Sequence, residues 1–219
     1  MKVFTYDTSQ FDFRKLLLEN FECLNLQDLH KHHSDWVPKD ELSFSEESST
    51  KFHERFYEKL REPWNEFVDL YRSFVKEHVS VNVREDCNLL FQALPSFRVH
   101  LPNEKAIHKI HYDGDKDHRH PPGELNVFLP MTDCLPNNTL WAESSPGKGD
   151  FSPMLLSYGE YIVWNGNECA HYNKSNTEEL TRVSFDFRLL PKSKYNPDYK
   201  KTSYTSSTKF LIGEYYDEL

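Results

Sequence analysis

Glycine is scarce in this chain, at 7 of 219 residues, so its turns must rest on Pro, Asn, Asp and Ser. Cys23, Cys87, Cys134 and Cys169 are equally sparse and show no C-x-x-C spacing. A disulfide framework is therefore not expected, and the thiols suit small buried apolar groups in a reducing, cytoplasmic setting. No block of Lys and Arg stands out and the net charge is −9, which argues against a grip on phosphate backbones and so against nucleic acid as a partner. No apolar run is long enough to cross a bilayer, and Met1-Lys2-Val3-Phe4-Thr5-Tyr6-Asp7 lacks a signal peptide's apolar region. The expectation is a soluble cytoplasmic protein without a membrane partner. No repeat period is visible.

Aromatic residues are abundant, at 15%, and supply the bulk for one core in a single domain over residues 1–219. Three portions are expected: a largely helical 1–85, a β core over 86–191, and an extension over 192–219 that docks on the core. From Phe11 to Phe21, Phe13, Leu16, Leu17 and Phe21 suit a short amphipathic helix. His30, His32 and His33 sit in a polar stretch and read as a solvated loop rather than a metal cluster. Between Ser48 and His78, Phe52, Phe56, Leu60, Trp64, Phe67, Leu70, Tyr71 and Phe74 recur every three or four positions as a helix stripe, which Pro63 should kink or divide just after Glu62. This stripe is read as core, packed on the outer face of a sheet.

After Asp86 the pattern shortens to strand-like runs: Asn88 to Leu94, Phe97 to Leu101, Ile107 to Tyr112, Leu125 to Met131, Thr139 to Glu143, Met154 to Leu156, Tyr161 to Trp164 and Arg182 to Leu190. Many short strands suit a jelly roll. The fold class expected is mainly β with flanking helices.

One triplet carries the chemistry. In an extended strand His111 and Asp113 point the same way and Tyr112 the other. With His171 nearby, two imidazoles and one carboxylate would leave about half of an octahedron open, as non-haem Fe(II) oxygenases use. Asp115, Asp117, His118 and His120 rank below as ligands because Gly114 to Pro122 reads as a loop, and His108 falls on the face opposite His111. In Arg182-Val183-Ser184-Phe185-Asp186-Phe187-Arg188-Leu189 one face is apolar and the other charged. Arg182 and Ser184 on that charged face suit capture of a carboxylate by a planar fork and a hydroxyl. Asn126 is a candidate for the pocket lining, Arg98 and Arg188 for carboxylate or substrate contacts, and Trp141 and Trp164 for stacking. Asn173 and Lys174 read as a turn.

With His111-x-Asp113, His171 and Arg182-x-Ser184 in this order, the chain resembles the Fe(II)/2-oxoglutarate-dependent dioxygenases. Gly159-Glu160-Tyr161-Ile162-Val163-Trp164 looks like the strand before the distal histidine of that family. Phe97 to Leu101, His120 to Asn126, Glu143 to Phe151 and Arg182 to Arg188 are similar to a branch of small oxygenases from aminoglycoside and other carbohydrate biosynthesis clusters. The resemblance covers residues 88–191 and thins on either side. It implies a double-stranded β-helix, or cupin-like jelly roll, with Fe(II) on His111, Asp113 and His171. It also implies Arg182 paired with the distal carboxylate of 2-oxoglutarate, Ser184 bonded to that carboxylate, and O2 as second cosubstrate. The implied reaction is hydroxylation of a small molecule, a carbohydrate or amino-sugar derivative, coupled to conversion of 2-oxoglutarate to succinate and carbon dioxide. Halogenases of this superfamily lack the carboxylate ligand, so Asp113 argues against halogenation. The negative charge around Asp115 and Asp117 would tolerate a cationic substrate. Two other readings remain open on the residues alone: a cupin-like metal-dependent isomerase, epimerase or hydrolase, for which Arg182 and Ser184 have no stated use, and a non-catalytic sugar-binding jelly roll.

Overall fold

Apolar residues three and four apart generate the helices. In the computed structural model, which describes residues 1–38, 50–83, 88–103, 110–204 and 207–219, α1 (Phe13–Asn20) buries Phe13, Leu16 and Leu17, and the Asp12 side chain caps it by accepting from the Lys15 amide at 3.0 Å. A short 3-10 turn leads into α2 (Leu29–His32). The histidines here are more engaged than a solvated loop would have them: His30 Nδ1 lies 2.7 Å from Thr181 Oγ1, and His33 Nε2 bonds the Phe21 carbonyl at 2.6 Å.

The long aromatic stripe divides at Pro63 as its chemistry requires. Helix α3 (Lys51–Arg61) stops because Glu62, which precedes the proline, is extended at φ −73 and ψ 154. Helix α4 (Asn65–Ser73) then runs through a wider π-type stretch, Phe74–Val79, into α5 (Ser80–Val83).

The strands are β1 (Lys2–Thr5), β2 (Leu89–Gln92), β3 (Ser96–His100), β4 (Leu125–Pro130), β5 (Leu140–Ala142), β6 (Ser152–Pro153), β7 (Glu160–Trp164), β8 (His171–Asn173), β9 (Arg182–Pro191) and β10 (Tyr216–Glu218). They form two antiparallel sheets. The larger runs β1-β7-β4-β9-β2-β10, with β3 also on β9, and the smaller runs β6-β5-β8. Strand β9 is paired along both edges, to β4 on one side and to β3 and β2 on the other. Phe128, Ile162 and Trp164 of the larger sheet meet Ala142, Met154 and Leu156 in an apolar layer between the sheets. On the other face of the larger sheet, Phe185 contacts Phe13, Phe56 and Phe67, and Phe56 stacks on Phe97 at 4.4 Å. Tyr71 meets Phe187 edge-on at 5.2 Å.

Several elements depart from the sequence reading. The apolar triplet Met154-Leu155-Leu156 forms no strand. Pairing falls on Ser152–Pro153, while Met154 and Leu156 still enter the layer between the sheets. Of the run from Ile107 to Tyr112, residues 107–109, His108 among them, lie outside the described residues, as does Cys87. Strands β1, β8 and β10 are too short or too polar to declare themselves by alternation. Cys23, Cys134 and Cys169 are free and buried. No described helix is long and apolar enough to cross a membrane.

His53, on the buried side of α3, has 4% of its surface exposed and lies edge-on to Phe97 at 5.7 Å. Burial, reinforced by the Arg98 and Arg182 guanidiniums, pushes its pKa from the ordinary 6.5 down to about 3. The fold holds the neutral imidazole, so as pH falls the unfolded chain takes up the proton first and stability drops from about pH 6.5 towards about pH 3. His171 contributes in part of the same window. His53→Gln should therefore lose less thermal stability between pH 7 and pH 5 than the parent chain, and an equal loss in scanning calorimetry would contradict the assignment.

Candidate metal centre

Backbone pairing, rather than a regular strand, aims the His-x-Asp triplet. His111 and His171 exchange amide-to-carbonyl bonds at 3.2 and 2.8 Å as an isolated bridge, and the amides of Asp113 and Gly114 bond the carbonyls of Gly166 and Asn167, each at 2.9 Å. Tyr112 is 44% exposed, while His111 and Asp113 on either side of it are turned inward. Asp113 Oδ1 thus lies 3.5 Å from His171 Nε2 and 3.9 Å from His111 Nε2, and the three ligand atoms lie within 4.8 Å of one another. Bonds of about 2.1 Å meeting at right angles would place such atoms about 3 Å apart. Small rotations therefore close the triad on one ion. The triad lines a cavity of about 120 Å³ with Asn126, Trp164, Asn173, Arg182 and Arg188 among its walls.

The surroundings set the state of each ligand. His171 Nδ1 bonds the Cys169 carbonyl at 3.1 Å, and a carbonyl only accepts, so the ring proton sits there and the Nε2 lone pair faces Asp113. Trp164 meets that ring edge-on at 4.7 Å. Burial, with help from His111 and Arg188 and against the pull of Asp113, pushes the His171 pKa down to about 4, so the ring is neutral near pH 7. For Asp113, burial pushes the carboxyl up, but Arg188, His171, His120 and the bond from Asn126 outweigh it and hold the group well below the usual carboxylate range. The His118 ring lies flat against His111 at 4.1 Å, fixed by Asp115 Oδ1 at 2.9 Å.

Arg182 and Ser184 share the inward face of β9. Arg182 lines the cavity, donating from Nε to the Asn138 carbonyl at 3.0 Å and from Nη1 to Ser184 Oγ at 2.6 Å. Ser184 is fully buried, and its hydroxyl, by accepting from Arg182, steadies that guanidinium. Asn126 lines the cavity and donates to Asp113 Oδ2 at 2.7 Å. Arg98 and Arg188 also line it, yet both are engaged with carboxylates: Arg98 Nε with Asp186 at 2.7 Å, and Arg188 with Asp113 and Asp186. Both guanidiniums thus line the cavity while neutralising the protein's own acids.

The reading of Trp141 is revised. Strand alternation turns Leu140 to the cavity and sends Trp141 to the opposite face, where Lys174 lies over its ring at 3.3 Å. Asp115 is consumed in its own turn, accepting from the amides of Asp117 and His118 at 2.9 and 2.7 Å. Sequence reasoning missed Asn173, which lies in β8 two residues past His171 and so on the same face. It also missed Asp186 as a cavity residue, although the alternation of β9 contains that signal. Ser203 and Tyr204 of the C-terminal segment line the cavity as well, with nothing local in the sequence to announce it.

Three buried polar atoms of the wall have no hydrogen-bond partner among the described residues: Asn126 Oδ1, Trp164 Nε1 and Asn173 Oδ1. Leaving such an atom unmet costs about 1–3 kcal/mol, so their presence in one wall beside two imidazoles and a carboxylate fits a chamber built around a metal ion and a polar ligand.

Fold and site together define an antiparallel β-sheet protein with a candidate mononuclear centre of two histidines and an aspartate. The chain is 37% identical over 171 residues to the streptomycin biosynthesis protein StrG of Streptomyces griseus, a match covering 78% of this chain and 77% of that protein, and it belongs to that family. No family model matches it. Similar solved structures include AviO1 from Streptomyces viridochromogenes Tue57, with 12% identity, a TM-score of 0.46 and coverage of 88% of this chain and 89% of that one. Another is the nickel complex of the non-haem monooxygenase ThoJ, with 13% identity, a TM-score of 0.43 and coverage of 85% and 71%.

Gly166 sits where the chain crosses closest to this wall. A Cβ added there would meet Asn126 Cγ and Nδ2 at 2.6 Å. Gly166→Ala should force Asn126 off Asp113, lower stability by about 1–3 kcal/mol and weaken divalent-metal binding. Retention of both parental stability in urea and parental metal affinity would show that the contact is slack.

Proposed function

We propose that the protein is an Fe(II)- and 2-oxoglutarate-dependent oxygenase that hydroxylates a small biosynthetic molecule, a carbohydrate or amino-sugar derivative. The observation carrying this reading is the convergence of His111 Nε2, His171 Nε2 and Asp113 Oδ1 on one point of a cavity whose wall also holds Arg182. Two imidazoles and one carboxylate with open positions suit ferrous oxygenase chemistry. The kinship with a streptomycin biosynthesis protein supports the class of substrate. Two antiparallel sheets facing across an apolar layer, with helices against the larger one, support a double-stranded β-helix.

His111, Asp113 and His171 would hold the ion. When bound, it would activate dioxygen, the oxidant, so that one oxygen atom goes into succinate as the keto acid loses carbon dioxide and the other goes into a substrate C–H bond. The chain's own residues do the rest. The Cys169 carbonyl keeps the metal-facing nitrogen of His171 unprotonated, and Trp164 holds that ring at its edge. Arg182, fixed by Ser184 and the Asn138 carbonyl, orients the far carboxylate of 2-oxoglutarate. Asn126, Trp164 and Asn173 present an acceptor, a donor and an acceptor to the bound molecules.

Anaerobic addition of Fe(II) and 2-oxoglutarate should produce a weak visible charge-transfer band. His111→Ala, Asp113→Ala and His171→Ala should each abolish the band with Fe(II) binding, whereas Arg182→Ala should weaken 2-oxoglutarate by at least about tenfold, the scale of one charge-assisted bond, with Fe(II) affinity unchanged. Tight binding of both components without the band, or equal cosubstrate affinity in the Arg182 variant, would overturn the reading.

A further inference from the structure

The two oxygens of Asp113 have different surroundings. Oδ1 faces both imidazoles, while Oδ2 accepts from Asn126 Nδ2 at 2.7 Å, Arg188 Nη2 at 2.7 Å and Arg188 Nε at 3.2 Å. A carboxylate beside a divalent cation is otherwise free to rotate and chelate it through both oxygens. With Oδ2 held from two directions, that rotation would break all three bonds. Arg188 is held in turn: its Nη1 donates to Asp186 Oδ2, and Asp186 Oδ1 accepts from Arg98 Nε at 2.7 Å. The chain of alternating charge starts at the partly exposed Arg98 and ends on the buried Asp113. It runs sideways across the larger sheet, because Arg98 is on β3 and Asp186 and Arg188 are on β9.

We propose that Arg188 is the positioning residue that keeps Asp113 a one-oxygen ligand, with Asn126 as its partner on Oδ2 and Arg98, through Asp186, holding Arg188 in place. This inference rests on the metal-centre reading above. A second effect of Arg188 has the opposite sign. Its charge draws electron density from the carboxylate and repels an incoming cation, so if field rather than geometry dominated, removing it would tighten metal binding. The three donated bonds favour geometry, and Asp186 neutralises much of the field.

The test is isothermal titration of the full metal-free chain with Ni(II), which is stable in air and binds imidazole sites more tightly than Fe(II) does. Arg188→Met should weaken Ni(II) by about 10- to 100-fold, the range for loss of a partner that orients a ligand. Arg188→Lys, which keeps the charge but not the fork, should weaken it by a smaller factor. In an Asp113→Ala background, which loses Fe(II) but keeps His111 and His171 as a weaker site for the tighter-binding Ni(II), both substitutions should change Ni(II) affinity by less than about twofold, because the influence of Arg188 passes only through that carboxylate. A packing role would lower affinity by the same factor in both backgrounds and overturn the proposal, as would unchanged or tighter binding in either single variant. If Arg188→Met fails to give a cooperative melt, the Arg188→Lys pair decides alone. A parent chain that binds no Ni(II) would remove the metal-centre reading itself, a result distinct from parent binding with an indifferent Arg188.

Discussion

Strand β9 is bonded along both edges and covered on one face by aromatic residues, and Arg182 and Arg188 on its other face are buried, so their charges must be neutralised inside. Arg182, Asp186 and Arg188 all project there. Burying a charge without a partner costs several kcal/mol, far more than a surface ion pair returns. That constraint organises the site. Burial pushes the Asp186 carboxyl up, but Arg98 and Arg188 more than reverse it and keep the group ionised. Arg188 remains charged between Asp113 and Asp186 despite its burial. The candidate ligand Asp113 is therefore one member of a neutralised set rather than an isolated acid awaiting a metal.

The same constraint shows which parts of the fold can be read from one dimension. Alternation from Arg182 to Leu189 identifies a two-faced strand, and the Phe52 to Phe74 spacing with Pro63 identifies two helices in line, because period and breaker are local properties. Which face of β9 turns inward is decided by Phe185 and Phe187 finding Phe56, Phe67 and Tyr71, residues that the stripe already offered. The ion partners are a different matter. Whether Arg188 meets a substrate or Asp113 depends on the register Asn126↔Arg188 between β4 and β9 and on a loop paired to Gly166, and neither leaves a trace in local sequence. For the same reason Asn173 reads as a turn until the bridge between His111 and His171 extends the smaller sheet and turns residues 171 and 173 inward together. Trp141 is the converse case: a conspicuous aromatic sent outward by the alternation that turns Leu140 in.

The segment after β9 shows how a polar, weakly patterned stretch can still build a site. Strand β10 pairs with β2 and so ties the segment to the larger sheet. From that anchorage Tyr216 donates to Glu124, which also holds His120 Nδ1 at 2.7 Å, while Phe210 packs on the His120 ring at 5.0 Å and Tyr199 donates to the Arg119 carbonyl at 2.9 Å. The loop from Gly114 to Pro122 is thus clamped from outside by aromatic residues of the segment. Further along, Tyr204 lies against His118, and His118 lies against His111.

A run of contacts therefore reaches from an exposed tyrosine to a candidate ligand without passing through the sheet. Two supports of unlike kind meet at the triad. On the Asp113 side stand charge and directed hydrogen bonds, which fix one oxygen in both distance and direction. On the His111 side stands ring stacking, which holds a plane but resists sliding weakly. The carboxylate is held by bonds to Oδ2 and His171 is locked through Cys169, so the chain presents both to one point before any ion binds. From separations of 3.5 and 3.9 Å to Asp113 Oδ1, the two imidazoles need only a small contraction to meet an ion with it.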